Sequence, residues 1–179
     1  MTLDAGDFLL SEPDETHLEQ IRAYRQDFLD THCSMDGCGP LRKIEDPRVY
    51  LTECRKYTRP ETLPEGKVLA TLFFYIRKTD GRLVGMIQIR HTLNDYLARF
   101  GGHIGYSVRP SERRKGYATS MLRAVLPYCR ELGLDKVLIT CLEDNIGSEK
   151  TIRNNGGVYE STVYEPDEKC RLKRFWITL

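Results

Sequence analysis

The spacing of hydrophobic and polar positions predicts alternating helices and strands along the whole chain. Apolar residues from Leu18 to Leu29 recur at helical spacing, and Asp46-Pro47 is a favoured start for a second helix that runs to about Tyr57. Further helices are predicted over 92–100, 116–132 and 145–154, and strands over 7–10, 67–78, 83–89, 102–108, 136–142, 158–163 and 172–179.

The order of these elements predicts the topology of the central part of the chain. The Asp-Gly pair at 80–81 separates two strand-like runs and predicts an antiparallel hairpin. The helix over 116–132 lies between strands 102–108 and 136–142, an order that predicts a parallel pair with a right-handed crossover. The predicted fold class is therefore α/β, with a mixed central sheet of about six to seven strands around a central parallel β-α-β unit, in a single domain of residues 1–179.

Length and composition exclude several classes of protein. The 179 residues, 40% hydrophobic and 30% charged, are typical of one soluble globular domain. Lysine and arginine total 27 against 26 acids, so the net charge of +1 gives no global electrostatic reason to bind nucleic acid or an anionic membrane. No segment has the roughly 20 apolar residues of a membrane span, and the first residues lack a secretory signal. We therefore expect a cytoplasmic protein with no nucleic-acid or membrane partner.

The six cysteines are predicted to be free thiols. A disulfide framework is expected in a short secreted chain, whereas Cys129 and Cys141 here fall inside apolar segments. Cys33 and Cys38, with His32 adjacent and Cys54 downstream, form the best metal candidate. Zinc sites usually combine two short, regularly spaced pairs, and the second pair is absent, so no metal is predicted.

The best candidate for chemistry is a basic turn between a predicted strand and a predicted helix. A helix N-terminus exposes unpaired N–H groups and carries about half a positive charge, which together bind phosphate. A solvated basic turn before an amphipathic helix explains the same residues equally well. Phosphate motifs of P-loop and dinucleotide-binding proteins are absent from the chain. The turn consists of Arg113, Arg114, Lys115, Gly116, Tyr117, Ala118 and Thr119.

The motifs of this region resemble those of the GCN5-related N-acetyltransferase (GNAT) superfamily. The run R-x-x-G-x-A at 113–118, after a strand ending in Val108, is similar to its acyl-CoA loop, [QR]-x-x-G-x-[GA]. N-x-x-S at 145–148 and the Asn-Gly-Gly run at 155–157 follow the next strand, where the superfamily has N-x-x-[AS] and a helix that ends at glycine. The order of elements resembles its fold over nearly the whole chain.

The resemblance implies an acetyl-CoA-dependent N-acetyltransferase that needs no metal. A primary amine, of a small molecule or a peptide, would attack the thioester directly, and CoA thiolate would leave. Val108 would offer main-chain groups to the pantetheine arm, and Asn145 and Ser148 would border its thiol end. The diphosphate would be cradled by the loop residues Arg113, Arg114, Lys115, Gly116, Tyr117, Ala118 and Thr119.

Candidate catalytic residues are less clearly marked. Many members of the superfamily have a tyrosine acid seven residues after the asparagine, where this chain has Ile152, which a buried core position explains. His103 and Tyr106 lie on the strand that leads to the thioester, and Glu143 follows a buried strand. His103 is better explained by a hydrogen bond to a backbone carbonyl, and Glu143 is explained equally well by the dipole of the next helix. His91 and Asp144 are further base candidates, and Arg90, His91 and Asn94 could line an acceptor pocket.

Two other functions are compatible with the same residues. The absent tyrosine leaves open a non-catalytic acyl-CoA-binding or regulatory module, and the loop alone leaves open a binder of small phosphate ligands unrelated to CoA. Nothing in residues 16–66 names an acceptor. The closing strands, 158–163 and 172–179, could pair with a second copy at a sheet edge and form a homodimer.

Overall fold

The computed structural model describes all residues from Met1 to Leu179. Short 3₁₀ turns and one π-helical turn at Leu97–Gly101 connect eight strands and four α-helices. In chain order these are β1 (Thr2–Ala5), β2 (Phe8–Ser11), α1 (Leu18–Asp30), α2 (Pro47–Arg55), β3 (Ala70–Arg77), β4 (Arg82–Arg90), β5 (Ile104–Val108), α3 (Tyr117–Glu131), β6 (Lys136–Leu142), α4 (Ile146–Arg153), β7 (Val158–Glu165) and β8 (Cys170–Thr178).

The strands form two sheets rather than the single sheet of about six to seven strands that the sequence predicts. One sheet has five strands in the order β1-β2-β3-β4-β5, and the other has three in the order β6-β8-β7. Every pair within both sheets is antiparallel. The α/β class and the hairpin of β3 and β4 are confirmed, whereas the strand count is wrong.

The predicted parallel ladder between strands 102–108 and 136–142 is also absent. The two sheets meet through one isolated antiparallel bridge between Gly102 and Ile139. His103 N–H donates to the carbonyl of Leu138 at 2.7 Å, and Leu138 N–H donates to the His103 side-chain Nδ1 at 2.9 Å. Because a side chain accepts where a parallel ladder needs a carbonyl, the pairing does not continue. Further along, no main-chain hydrogen bond joins β5 to β6, which leaves a gap between them.

Two local features differ from the sequence prediction. β1 pairs with β2 in a hairpin that turns at Gly6, where φ is +72°. The helix predicted over 92–100 is reduced to the π-helical turn, because Gly102 follows it at φ +66° and takes the chain into β5.

Two hydrophobic clusters cover the two faces of the five-stranded sheet. One cluster joins α1 and α2 to alternate side chains of β3 and β4, among them Leu72, Phe74 and Met86. The other joins the opposite face to α3 and to the three-stranded sheet, with Phe73, Ile87 and Phe175. This two-faced burial explains the nearly continuous apolar sequence of β3. The two strands that border the gap, β5 and β6, contribute to the same cluster through Ile104 and Val137.

Three further features bear on partners. No helix is both long enough and apolar enough to cross a bilayer. All six cysteines are free thiols, as the sequence predicts. β7 is the outer strand of its sheet and exposes Val158 and Tyr159, so the pairing of this edge with a second copy stays a prediction. The same prediction is wrong for the last strand, because β8 lies between β6 and β7 and is already paired on both sides.

Candidate active site

The turn that carries the anion-binding prediction follows β5, one of the two strands that border the gap. After β5, the chain makes a 3₁₀ turn over Pro110–Glu112 and then enters α3. Arg114 has φ +65° and Gly116 has φ +79°, so the main chain twice adopts the left-handed region. A Cβ on Gly116 would have no neighbour within 4 Å, which shows that the glycine is needed for its backbone angle and open approach rather than for space within the protein.

This turn presents a continuous row of free main-chain donors. The N–H groups of residues 114–119 donate to no other group of the protein. The first hydrogen bond of α3 that involves the turn is from Ser120 N–H to the carbonyl of Gly116. The helix has no side-chain N-cap. Six adjacent free donors at a positive helix terminus could hold an anion of the size of a diphosphate.

A buried carboxylate anchors the turn to the five-stranded sheet through ion pairs. Glu112 is 5% exposed and accepts from Arg77 and Lys115 at 2.9 and 2.8 Å, and its carboxylate also forms an ion pair with Arg82 Nε at 3.1 Å. Burial alone would raise the pKa of this carboxyl, but hydrogen bonds from Lys115 and Arg77 outweigh it and the pKa lies below its usual value. Three cations surround this one carboxylate, and Asp80 also pairs with Arg77. The cations therefore outnumber the carboxylates by one next to the row of donors.

The side chain of Arg113 folds back from the turn. Its Nε donates to the carbonyl of Val108 at 3.1 Å, its Nη1 lies 3.2 Å from Cys33 Sγ, and its guanidinium lies over the ring of Phe28. This side chain therefore fixes the end of β5 to α1. The row of main-chain donors begins directly after it.

The outer edge of β5 faces the gap. Arg90 N–H donates to the carbonyl of His103, and Arg109 N–H donates to the carbonyl of Val84, which sets the hydrogen-bonded pairs of the β4–β5 ladder. In an antiparallel ladder the intervening residues direct their main-chain groups to the other side. The N–H groups of Tyr106 and Val108 therefore point into the gap, where a pantetheine arm could pair with them as an added strand.

Tyr106 and Ser148, which the sequence predicts in separate roles, lie in contact across the gap. Their hydroxyl oxygens are 2.8 Å apart, and Ser148 lies in the first turn of α4. Burial raises the pKa of the Tyr106 hydroxyl, so the group stays protonated at neutral pH. Asn145 accepts from Ser148 N–H through its side chain and so acts as the N-cap of α4. A tyrosine hydroxyl donor thus lies between the two sheets.

His103 connects the two sheets. Its ring is 7% exposed, and its Nδ1 accepts from Leu138 N–H, so the neutral ring carries its proton on Nε2. Burial, and then the charge of Arg90, lowers the pKa of His103 to about 4. The residue is satisfied by the backbone, through an amide N–H where the sequence predicts a carbonyl.

This geometry predicts a loss of stability in mild acid. The folded-state pKa of His103 lies below its unfolded value, so the unfolded chain binds the proton more readily, and stability falls as the pH falls from about 6.5 to about 4. In His103→Asn the amide oxygen can still accept from Leu138, but the titration is lost. Between pH 7 and pH 4.5 the wild type should lose about 2–3 kcal/mol more unfolding free energy than the variant in urea titrations. Equal losses would contradict the assignment.

The other candidates lie elsewhere. Glu143 is exposed and bound to Arg171 at 2.9 Å, and Asp144 is exposed beside it. His91 Nε2 lies 2.8 Å from Thr71 Oγ1 on the α3 side of the sheet. Ile152, in the position of the usual tyrosine, is fully buried in the core. None of these four side chains is in hydrogen-bond contact with the Tyr106–Ser148 pair.

A cavity of about 570 Å³ lies on the face of the sheet that carries α1 and α2. Arg90 and Asn94 line it, as the sequence suggests, and His91 does not. The other polar lining groups, chiefly Gln88 and Lys67, are not marked in the sequence, because they come from separate parts of the chain. Gln88 pairs with Gly105 of β5, so the cavity adjoins the strand that borders the gap.

A comparison with known protein families supports the family resemblance that the motifs indicate. The model of the acetyltransferase (GNAT) domain matches residues 7–158. The chain belongs to the GNAT acetyltransferases. No curated protein sequence matches it. No group of three histidine, cysteine or acidic side chains lies close enough together to hold a metal ion.

Solved structures of GNAT enzymes share this fold. RimL, a ribosomal L7/L12 alpha-N-protein acetyltransferase in complex with coenzyme A, has a TM-score of 0.75 at 13% identity over 100% of this chain and 98% of its own. The Salmonella typhimurium enzyme that modifies the N-terminal serine of L7/L12 has 0.72 at 15%, over 100% and 99%. The microcin C7 self-immunity acetyltransferase MccE, in complex with acetyl-CoA and AMP, has 0.71 at 15%, over 98% and 94%. By its family, this GNAT protein is an acetyltransferase.

Proposed function

We propose that residues 1–179 form one catalytic unit that acetylates a primary amine entering through the cavity on the α1–α2 face. The observation that carries the proposal is the row of six free main-chain donors at residues 114–119, which follows β5, a strand that borders the gap. A diphosphate bound there directs an attached pantetheine arm along the outer edge of β5. The six free thiols fit a reducing compartment, which supports a cytoplasmic location.

The main chain of this protein holds the donor and orients its reactive end. The amides of residues 114–119 bind the diphosphate, and the N–H groups of Tyr106 and Val108 pair with the pantetheine arm. Acetyl-CoA supplies a thioester that is already activated toward amines. Most of the acceleration then comes from positioning and from a main-chain donor to the carbonyl oxygen.

Tyr106 serves as the proton donor toward the departing sulfur as the bond between the acetyl carbon and sulfur breaks. The amine nitrogen, which forms the new bond to the acetyl carbon, loses a proton that restores the tyrosine hydroxyl. The Tyr106 hydroxyl is the tyrosine group inside the gap, and it is kept protonated by burial and oriented by Ser148. The usual tyrosine of the family is replaced by a core residue, Ile152, so the same function moves from α4 to β5. His103 takes no part in proton transfer, because its Nδ1 lone pair is used by Leu138 N–H.

The proposal is tested by incubating the purified protein with acetyl-CoA and a panel of primary amines and peptides. The six free cysteines would react with thiol reagents, so acetylated product is measured by mass spectrometry. We expect acetyl-CoA to bind and at least one amine to be acetylated. Binding of acetyl-CoA without acetylation of any amine would favour the non-catalytic module instead. Thermal stabilisation by small phosphates and none by CoA would favour the simple phosphate binder.

A further inference from the structure

The cavity on the α1–α2 face has an unusual balance of charge. Four cationic side chains line it, and no aspartate or glutamate does. None of the four belongs to an ion pair within the protein. Nearly equal numbers of basic and acidic residues occur in the whole chain, so this separation is local. The four are Arg42, Lys43, Lys67 and Arg90.

The base of the cavity has hydrogen-bond donors without partners. Arg90 is half-buried, and its Nη1 donates to the carbonyls of Gly101 and Gly102 at 2.9 and 2.8 Å. Its Nη2 and the side-chain amide of Gln88 donate to no group of the protein. Burial lowers the pKa of Arg90, and no carboxylate faces it in compensation. A desolvated guanidinium without a counter-ion favours an anionic ligand at this place.

Acidic residues lie beyond the rim of the cavity. Tyr96 lines the rim, and burial, followed by the charges of Glu165 and Glu168, raises the pKa of its hydroxyl. Glu165 is the last residue of β7, and Glu168 lies in the turn between β7 and β8. The charge therefore changes sign from the base of the cavity to its outer side, which opposes a fully cationic ligand at the base and permits one that carries both charges.

We propose that the acceptor is an amine whose own molecule carries a carboxylate or phosphate, bound by Gln88 and Arg90. This inference rests on the proposed function, which makes the cavity the acceptor site. Lys43 and Lys67 are exposed at the rim and attract the anion. Gln88 lies one strand from β5, and neighbouring strands are about 4.8 Å apart, so the amine and the anion should be separated by only a few bonds.

The test compares four small amines of similar length. They are 4-aminobutyrate, phosphoethanolamine, the neutral 4-aminobutyramide and the cationic 1,4-diaminobutane. We expect kcat/KM to be at least about tenfold higher for the two anionic amines, equivalent to about 1.4 kcal/mol. The first two compounds distinguish a carboxylate site from a phosphate site. Equal or better turnover of the neutral or cationic amine would overturn the proposal while leaving the acetyltransferase function intact.

Variants locate the effect in the cavity. The double variant Lys43→Gln, Lys67→Gln should raise KM for the anionic amines about tenfold and leave 4-aminobutyramide unchanged, and Arg90→Gln should do so more strongly. Arg130→Gln is the control, since Arg130 is an exposed cation in the last turn of α3 without an ion pair. If Arg90→Gln does not fold, the double variant Lys43→Gln, Lys67→Gln still tests the proposal. An equal loss for the neutral amine would contradict charge recognition.

A binding measurement separates this inference from the proposed function. Calorimetry of 4-aminobutyrate and phosphoethanolamine with the CoA-saturated protein requires no turnover. Binding that Arg90→Gln weakens, without acetylation, would support the anion site and refute the proposed function. Acetylation of amines, combined with no selective binding of either anionic compound, would refute the anion site alone.

Discussion

Gly116→Asp is expected to weaken acetyl-CoA binding at least about 100-fold, a loss of about 2.7 kcal/mol. The substitution places a carboxylate at the start of α3, among the six free amides that would bind the diphosphate. The new carboxylate then repels the diphosphate at the place where the helix terminus would attract it most strongly. The new side chain also has to adopt φ +79°. Calorimetric titration with acetyl-CoA measures the change.

The matched control is Gly133→Asp at the other end of α3. Gly133 has φ +81°, and a Cβ there would likewise have no neighbour within 4 Å. The variant therefore repeats the backbone strain and the added charge, away from the proposed diphosphate site. It should lose thermal stability but bind acetyl-CoA as the wild type does. If both variants lost affinity equally, strain rather than charge at the turn would explain the effect.

The second large effect is expected from Tyr106→Phe, which should lower kcat about 100-fold and leave the dissociation constant of acetyl-CoA nearly unchanged. Removal of the hydroxyl takes away the proton donor in the gap but keeps the ring, and general acid–base groups commonly contribute 10²- to 10⁴-fold. Steady-state kinetics and calorimetry together separate the two quantities.

Tyr128→Phe controls for the loss of a buried tyrosine hydroxyl. The hydroxyl of Tyr128 lies 2.8 Å from Thr71 Oγ1, the same distance as that between the Tyr106 hydroxyl and Ser148 Oγ. Tyr128 belongs to α3 and does not border the gap. The control should keep full kcat. A wild-type kcat in Tyr106→Phe would remove this tyrosine from the mechanism and return Glu143 or another group to consideration.

The sequence predicts those parts of the fold that depend on local pattern. The amphipathic helices α1, α2 and α3 are present, and Asp46 caps α2 by accepting from Arg48 N–H. The relation of β5 to β6 could not be predicted, because it depends on one side chain. The Nδ1 of His103 accepts the N–H of Leu138 where a backbone carbonyl was expected, and no periodicity reports such an exchange.

Only part of the candidate site could likewise be predicted from the sequence. The turn at 113–119 is contiguous and carries a motif, so its position could be predicted, but the freedom of its amides is a property of the three-dimensional structure. The pairing of Tyr106 with Ser148 joins residues 42 positions apart. The cavity gathers residues from 39 to 97, and its charge separation is invisible until the chain folds. Long-range packing, which sequence patterns do not encode, creates both features.

Two glycines join the α1–α2 connection to the strand beside the gap. A Cβ on Gly37 would lie 2.2 Å from the carbonyl oxygen of Gly105, and a Cβ on Gly105 would lie 3.3 Å from the Cα of Gly37. The backbones therefore touch directly, and the residues that follow, Gly39, Pro40, Arg42 and Lys43, form one wall of the cavity. That wall can be redesigned residue by residue while its distance from β5 stays fixed. Substitutions in this wall should therefore change which acceptor is preferred without changing how the acetyl donor is bound.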